Sequence, residues 1–123
     1  MRISRVLMTA AMLVAAAAPA AASDATAGQK VFAKCKACHE VGSTTNKIGP
    51  TLKGMFGRKA GTVEGFAYSK AMKESGIVWD EATLKTYLAD PKGSMPGNKM
   101  AFVGLKKPED IDNVIAYLKE ATQ

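Results

Sequence analysis

The most informative stretch of this chain is Cys35-Lys36-Ala37-Cys38-His39, which has the form Cys-x-x-Cys-His. Two thiols at this spacing can add across the two vinyl groups of a haem, and the adjacent imidazole can then bind the iron. The stretch contains both cysteines and the only histidine of the 123 residues. It therefore predicts one covalently attached c-type haem, with His39 as an axial ligand.

Other kinds of site that use these residues are disfavoured. A structural zinc ion needs four protein ligands, and the two cysteines and one histidine supply three. A thioredoxin-like dithiol follows a strand in a βαβ pattern, whereas residues 27–34 have a helical pattern. A disulfide between Cys35 and Cys38 would close a very small, strained loop and would leave His39 without a role.

Residues 1–23 are predicted to form a secretory signal peptide. They begin with two arginines, continue with an apolar stretch over residues 6–18 and end in small residues that fit the cleavage rule. We expect cleavage near Ala22 or Ser23. A retained membrane anchor is the alternative, but this stretch of 13 residues is short for a span that needs about 20. Export to the periplasm would leave residues 24–123 as one small domain.

The charge of the chain is basic. Lysine and arginine number 17 against 11 acidic residues, and without the two arginines of the predicted signal the net charge falls from +6 to +4. Nucleic acid is one class of partner that a basic chain suggests. No basic stripe interleaved with aromatic residues is present, and the chain is predicted to be exported. Binding to nucleic acid is therefore rejected.

Helix signals dominate the predicted domain. A first helix is expected to begin near Ala25, capped by Ser23 or Asp24, and to run into the Cys-x-x-Cys-His motif. A short helix is expected over residues 69–75, and Asp80 is expected to cap a further helix that stops before Pro91.

The last helix has the clearest periodic pattern. Pro108 is suited to its first turn, and four apolar residues at i, i+3, i+4 and i+7 then share one face, namely Ile111, Val114, Ile115 and Leu118. Residues 42–65 and 91–107 are rich in Gly and Pro and are predicted to be loops. No alternating strand pattern is found. The expected fold is all-α, with three main helices, short helices and long loops wrapped around the haem.

A second axial ligand is expected, because a Met opposite the His is the arrangement that raises the potential of an electron-carrying haem. Four methionines follow the predicted signal, and most methionines fill cores. Met55 follows His39 by 16 residues, and Met72 lies in a helical stretch. Met95 and Met100 lie in a Gly/Pro-rich loop that can present a side chain. The residues alone leave the choice open.

The stretch Ser94-Met95-Pro96-Gly97-Asn98-Lys99-Met100-Ala101-Phe102 resembles the ligand loop Pro-Gly-x-Lys-Met-x-Phe of class I cytochromes c, above all bacterial periplasmic members related to mitochondrial cytochrome c. The similarity covers nearly all of residues 24–123. The other matches are Gly28-x-x-x-Phe32, Cys35 to His39, Gly49-Pro50-x-Leu52, Gly57-Arg58-x-x-Gly61, Gly65-Phe66-x-Tyr68, Trp79, Leu84-x-x-Tyr87-Leu88, Asp90-Pro91-Lys92 and Ile115-Ala116-Tyr117-Leu118-Lys119. The resemblance implies the cytochrome c fold and Met100 as sixth ligand, which leaves Met95 to apolar packing.

The resemblance also implies roles for residues around the haem. The Pro50 carbonyl would accept the Nδ1 proton of His39, and Tyr87 would lie near Met100. Three residues would donate hydrogen bonds to the haem propionates, namely Arg58, Tyr68 and Trp79.

Other implications concern packing and departures from the family. Gly28 and Phe32 would pack against Tyr117 where the first and last helices cross. Two residues depart from the family pattern: Met72 stands where relatives often have Asn, and Asn98 replaces a common Thr. Both positions belong to a polar network near the Met ligand in the family.

The predicted function is that of a soluble periplasmic one-electron carrier, not an enzyme, in a respiratory or photosynthetic chain. Seven lysines are expected to surround the haem edge and to dock acidic patches of redox complexes, namely Lys34, Lys36, Lys47, Lys92, Lys99, Lys106 and Lys107. The partners would be a quinol-oxidising complex, a terminal oxidase, a reaction centre or a reductase, and the carrier would be a monomer. The alternative is a haem protein of peroxidase or small-gas-binding type, with a labile sixth ligand.

Overall fold

The computed structural model describes residues 10–15 and 23–123, so most of the predicted signal peptide lies outside the described residues. The described part contains five helices: α1 (Ala25–Phe32), α2 (Lys70–Glu74), α3 (Glu81–Ala89), α4 (Pro91–Ser94) and α5 (Pro108–Ala121). Its β-structure is a single isolated bridge between Lys59 and Val78. The prediction of an all-α fold with three longer helices is confirmed. None of the helices in these ranges is long and apolar enough to cross a membrane.

Helix α1 begins as predicted but ends earlier. The Asp24 carboxylate accepts hydrogen bonds from the N–H groups of Thr26 and Ala27 at 2.9 and 3.1 Å, which is a side-chain N-cap. The expectation that the helix runs into the Cys-x-x-Cys-His motif is wrong. After Phe32 most backbone N–H groups bond three residues back, as in the 2.8 Å bond from Cys35 N to Phe32 O, and only those of Lys36 and His39 reach carbonyls four residues back. This tighter winding ends the helix and places the motif in consecutive turns.

The crossing of α1 and α5 depends on a glycine. A Cβ added at Gly28 would overlap the carbonyl oxygen of Asn113 and would lie 2.9 Å from Tyr117 Cβ. The rings of Phe32 and Tyr117 pack at a centroid distance of 5.3 Å, as the resemblance implied. The four apolar residues predicted to share one face of α5 are all buried. The two helices therefore form the closely packed framework that carries the rest of the chain.

Replacing Gly28 by Ala should destabilise the haem-containing protein by up to about 2 kcal/mol. Helix propensity alone favours Ala by about 1 kcal/mol, but the added methyl group meets backbone atoms of α5, and overpacking of this kind costs about 1–3 kcal/mol. Denaturant unfolding of the two proteins measures the difference. Gly42→Ala is the matched control, because a Cβ there meets nothing within 4 Å. Equal stability of Gly28→Ala and Gly42→Ala would contradict the close approach.

The caps of α2 and α3 follow the sequence signals. Ser69 Oγ accepts the Met72 N–H at 3.1 Å. Asp80 accepts the Thr83 N–H at 2.8 Å, and the Thr83 hydroxyl accepts the Asp80 N–H at 2.9 Å, which completes a capping box. Donation from the Thr83 N–H, and then from the Thr83 hydroxyl, to the Asp80 carboxylate lowers the pKa of Asp80. Helix α3 consequently begins at a defined residue and presents the buried Tyr87 on its inner face.

The prediction that residues 91–107 form one loop is wrong for its first turn. Pro91–Ser94 is helical, because Asp90 accepts the Gly93 N–H at 3.0 Å and Pro91 is suited to the first helical position. The rest of the stretch is irregular and returns to α3, where Leu105 N–H donates to the Leu88 carbonyl at 2.7 Å. The stretch that contains both methionines therefore begins directly after α3 and is bonded to α3 again at its other end.

Candidate haem site

The backbone after the motif orients the single histidine. His39 Nδ1 lies 2.8 Å from the Pro50 carbonyl oxygen, as the resemblance implied. A carbonyl oxygen only accepts, so Nδ1 carries the proton and Nε2 keeps a free lone pair. Burial lowers the pKa of His39, the bond to Pro50 opposes this shift, and the charge of Lys47 adds to it. The imidazole is consequently neutral at pH 7, which is the form that binds a metal.

Gly49 lies against the His39 ring, although the sequence interpretation quoted it only as a family match. A Cβ at this position would overlap His39 Cε1 and would lie 2.8 Å from Nδ1. Gly49 N–H also donates to the Cys38 carbonyl at 2.8 Å. The glycine therefore lets the backbone lie directly against the imidazole ring. The signal that could have identified it is its position next to Pro50, whose carbonyl must reach the same ring.

The two cysteines are unpaired and half-buried. Burial raises the pKa of the Cys35 thiol, and the neighbouring Cys38 raises it further. A redox-active dithiol requires the opposite shift, because the thiolate is the nucleophile. The environment therefore does not support a thioredoxin-like role and leaves both thiols available for attachment to a cofactor.

Met100 is partly buried and has a hydrogen-bond donor at its sulfur. The Tyr87 hydroxyl donates to Met100 Sδ at 3.9 Å, so the two residues meet as the resemblance implied. Burial raises the pKa of Tyr87 to about 12, and the hydroxyl keeps its proton at any physiological pH. The ring of Trp79 packs on Tyr87 at a centroid distance of 5.1 Å. Met95 is 4% exposed and packs in the core.

Two of the residues expected to face the propionates have backbone partners. The Arg58 guanidinium donates to the carbonyls of Lys53 and Thr51 at 2.9 and 3.0 Å. The Tyr68 hydroxyl accepts the Val63 N–H at 3.1 Å, so its own proton remains free. Burial lowers the pKa of Arg58 and raises that of Tyr68. Both side chains retain N–H or O–H donors for an anion, and their contact with propionates remains a prediction.

The donor set fits a covalently held haem. It consists of a neutral imidazole, a thioether and two unpaired thiols. Within residues 10–15 and 23–123 no group of three His, Cys, Asp or Glu side chains could hold a bare metal ion. An iron bound by His39 and Met100 would therefore need its other donors from a macrocycle, and the two thiols are the groups that can attach one.

Comparisons with known proteins identify the family to which the chain is similar. The family model described as "Cytochrome c" matches residues 25–122. "Cytochrome c2" of Blastochloris viridis is 50% identical over 110 residues, which cover 89% of this chain and 87% of that protein. "Cytochrome c-550" of Nitrobacter winogradskyi is 54% identical over 98 residues, with 79% and 90% covered. The solved structure of "cytochrome cH from Methylobacterium extorquens" is similar with a TM-score of 0.75 and 54% identity, and the match covers 80% of this chain and 99% of that one.

Proposed function

Since the chain belongs to the cytochrome c family, we propose that it is a soluble periplasmic one-electron carrier whose haem iron is bound by His39 and Met100. Membership of the family makes the chain an electron carrier rather than an enzyme, and it carries one covalent haem c. When bound, that haem supplies an iron whose charge changes by one electron. The observation that carries the proposed ligation is the hydrogen bond from Tyr87 to the Met100 sulfur.

His39 and Met100 would supply two neutral ligands that stay in place in both oxidation states. The Pro50 carbonyl holds the imidazole proton on Nδ1, which leaves the Nε2 lone pair available to an iron and would strengthen its donation. The protonated Tyr87 hydroxyl polarises the thioether sulfur and restrains its position. Two restrained ligands keep the reorganisation on electron transfer small, and a thioether opposite an imidazole favours a raised potential.

Exposure of the reduced protein to carbon monoxide distinguishes the proposed electron-carrier function from the peroxidase or gas-binding alternative. With Met100 bound, the absorption spectrum of the ferrous protein should not change over several minutes, because the gas has no open position on the iron. A potentiometric titration of the same sample should show one reversible one-electron transition. A rapid spectral change with carbon monoxide would support the alternative function instead.

Export and cleavage near Ala22 or Ser23 belong to the same proposal. The first tertiary contact after the predicted cleavage site is at Asp24, whose N–H donates to Asn113 Oδ1 at 2.9 Å, and the Asp24 carboxylate caps α1. Cleavage at either predicted bond leaves Asp24 and both of these interactions in the mature chain. Residues 24–123 would then work as a monomeric periplasmic domain.

The proposed partners are redox complexes with acidic patches, such as a quinol-oxidising complex, a terminal oxidase, a reaction centre or a reductase. All seven predicted docking lysines are exposed. Three of them also donate to backbone carbonyls of other residues. Lys47 Nζ bonds the Lys36 carbonyl and Lys92 Nζ the Asn98 carbonyl, both at 2.9 Å, and Lys106 Nζ bonds the Val103 carbonyl at 3.2 Å. These bonds hold positive charge next to the His39 and Met100 segments, where a partner must approach.

Lys107→Glu should slow electron transfer to an acidic partner by roughly 3- to 10-fold at low ionic strength, because charge attraction raises the association rate. Stopped-flow kinetics with a purified quinol-oxidising complex measures the effect, which should shrink near 0.15 M salt, where the Debye length is about 8 Å. Lys70→Glu changes the net charge equally on α2, where the Lys70 side chain is 85% exposed. Equal slowing by both variants would argue against a localised docking surface.

A further inference from the structure

We propose that Asn98 is a positioning residue for Met100, because its side chain ties the segment between α4 and Met100 into one hydrogen-bonded unit. The inference rests on the proposed ligation of iron by Met100. It adds that one buried amide sets how often the thioether leaves the metal.

The side chain of Asn98 is almost fully used in hydrogen bonds. The residue is 5% exposed although its side chain is polar. Its Nδ2 donates to the carbonyls of Pro91 and Met95 at 2.7 and 2.9 Å, and its Oδ1 accepts the Met100 N–H at 2.9 Å. A side-chain amide offers two donors and two acceptor positions. Three of the four are therefore satisfied by backbone groups of the same loop.

These bonds connect the two ends of the loop. Pro91 begins α4, whereas Met100 is the predicted ligand nine positions later, and Asn98 contacts the backbone of both. The main chain of Asn98 adds to the unit, because its N–H donates to the Met95 carbonyl at 3.2 Å and its carbonyl accepts Lys92 Nζ at 2.9 Å. Met100 is thus held at its backbone by Asn98 and at its sulfur by Tyr87.

Both hydrogen bonds that Asn98 Nδ2 donates are buried, and the residue itself is 5% exposed. A buried polar group that loses a partner retains the cost of desolvation. Without the Asn98 amide the Met100 N–H loses its acceptor, and the Pro91 and Met95 carbonyls each keep a single backbone donor, the N–H groups of Met95 and Asn98. Removal of the amide therefore raises the free energy of the closed loop, whereas in an open loop the same groups can bond water and incur no such cost. The amide therefore shifts the equilibrium between the closed and the open loop, and only the closed loop presents Met100.

The test is the rate at which cyanide binds the ferric haem-containing protein at saturating cyanide, where opening of the loop limits the reaction. Asn98→Ala should raise this rate by roughly 10- to 100-fold, the effect of two or three lost hydrogen bonds, and should weaken the methionine–iron absorption band. Val114→Ala is the control for general destabilisation, since Val114 is 2% exposed and lies in α5. A rate for Asn98→Ala equal to that of Val114→Ala would overturn the proposal.

The same assay separates this inference from the proposed function. If Met100→Ala retains the methionine–iron band, the ligand assignment fails. If Met100→Ala loses the band and Asn98→Ala behaves as Val114→Ala does, only the role of Asn98 fails.

Should Asn98→Ala not fold, hydrogen exchange in the unaltered protein decides whether Asn98 restrains Met100. The Met100 amide, bonded to Asn98 Oδ1, should exchange more slowly than the Lys99 amide, and equal rates would overturn the proposal.

Discussion

Met100→Ala should give a ferric protein that binds cyanide rapidly and a ferrous protein that binds carbon monoxide. Loss of the thioether opens one coordination position, and the potential should fall because the Met ligand favours the reduced state. Peroxidase activity should rise, since peroxide then reaches the metal. Absorption spectra, potentiometry and a peroxidase assay on the purified variant measure the three effects.

Met95→Ala is the control for this result, because Met95 lies in the same loop but is a core residue with 4% exposure. It should leave the spectrum nearly unchanged and lower the free energy of unfolding by about 2–5 kcal/mol through the cavity left behind. If the methionine–iron band disappears in Met95→Ala and persists in Met100→Ala, the assignment of the sixth ligand is wrong.

Replacement of both Cys35 and Cys38 by Ala should abolish the covalently attached haem and with it the stable fold. The two thiols are the only groups that can form thioethers. The predicted domain of residues 24–123 is small, and domains of about 100 residues are stable by only about 5–15 kcal/mol. Without the cofactor the long loops lose the surface on which they pack, so the far-UV circular dichroism should show weak helicity.

Mass spectrometry of the exported, denatured chain measures whether the haem mass is retained. Lys36→Ala is the matched control between the two cysteines, because Lys36 is exposed and contributes only its carbonyl to the bond from Lys47. This variant should keep the haem. Normal yields of the double cysteine variant with haem still covalently bound would contradict the central role of the motif.

Local physical rules explain the parts of the fold that could be predicted from the sequence. Asp24 and Asp80 cap helices because a carboxylate can reach N–H groups two or three residues ahead. The apolar face of α5 follows from the 3.6-residue period. The Cys-x-x-Cys-His motif is equally local, since the attachment chemistry depends on residues within one turn. The contacts of His39 with Pro50 and of Tyr87 with Met100 came from family resemblance.

Contacts between residues that are distant in the sequence determine the parts of the site that could not be predicted. The close approach of Gly49 to the His39 ring depends on how residues 40–48 fold back. The three bonds of Asn98 require α4 to form and the chain to turn at Gly97, which has a φ of 88°. In the sequence Asn98 stands out only as a departure from the family, because the residues that it bonds are brought to it by the loop. The motif and the helix caps thus follow from the sequence alone, whereas the restraint on Met100 exists only in the folded chain, where a buried amide must find its partners.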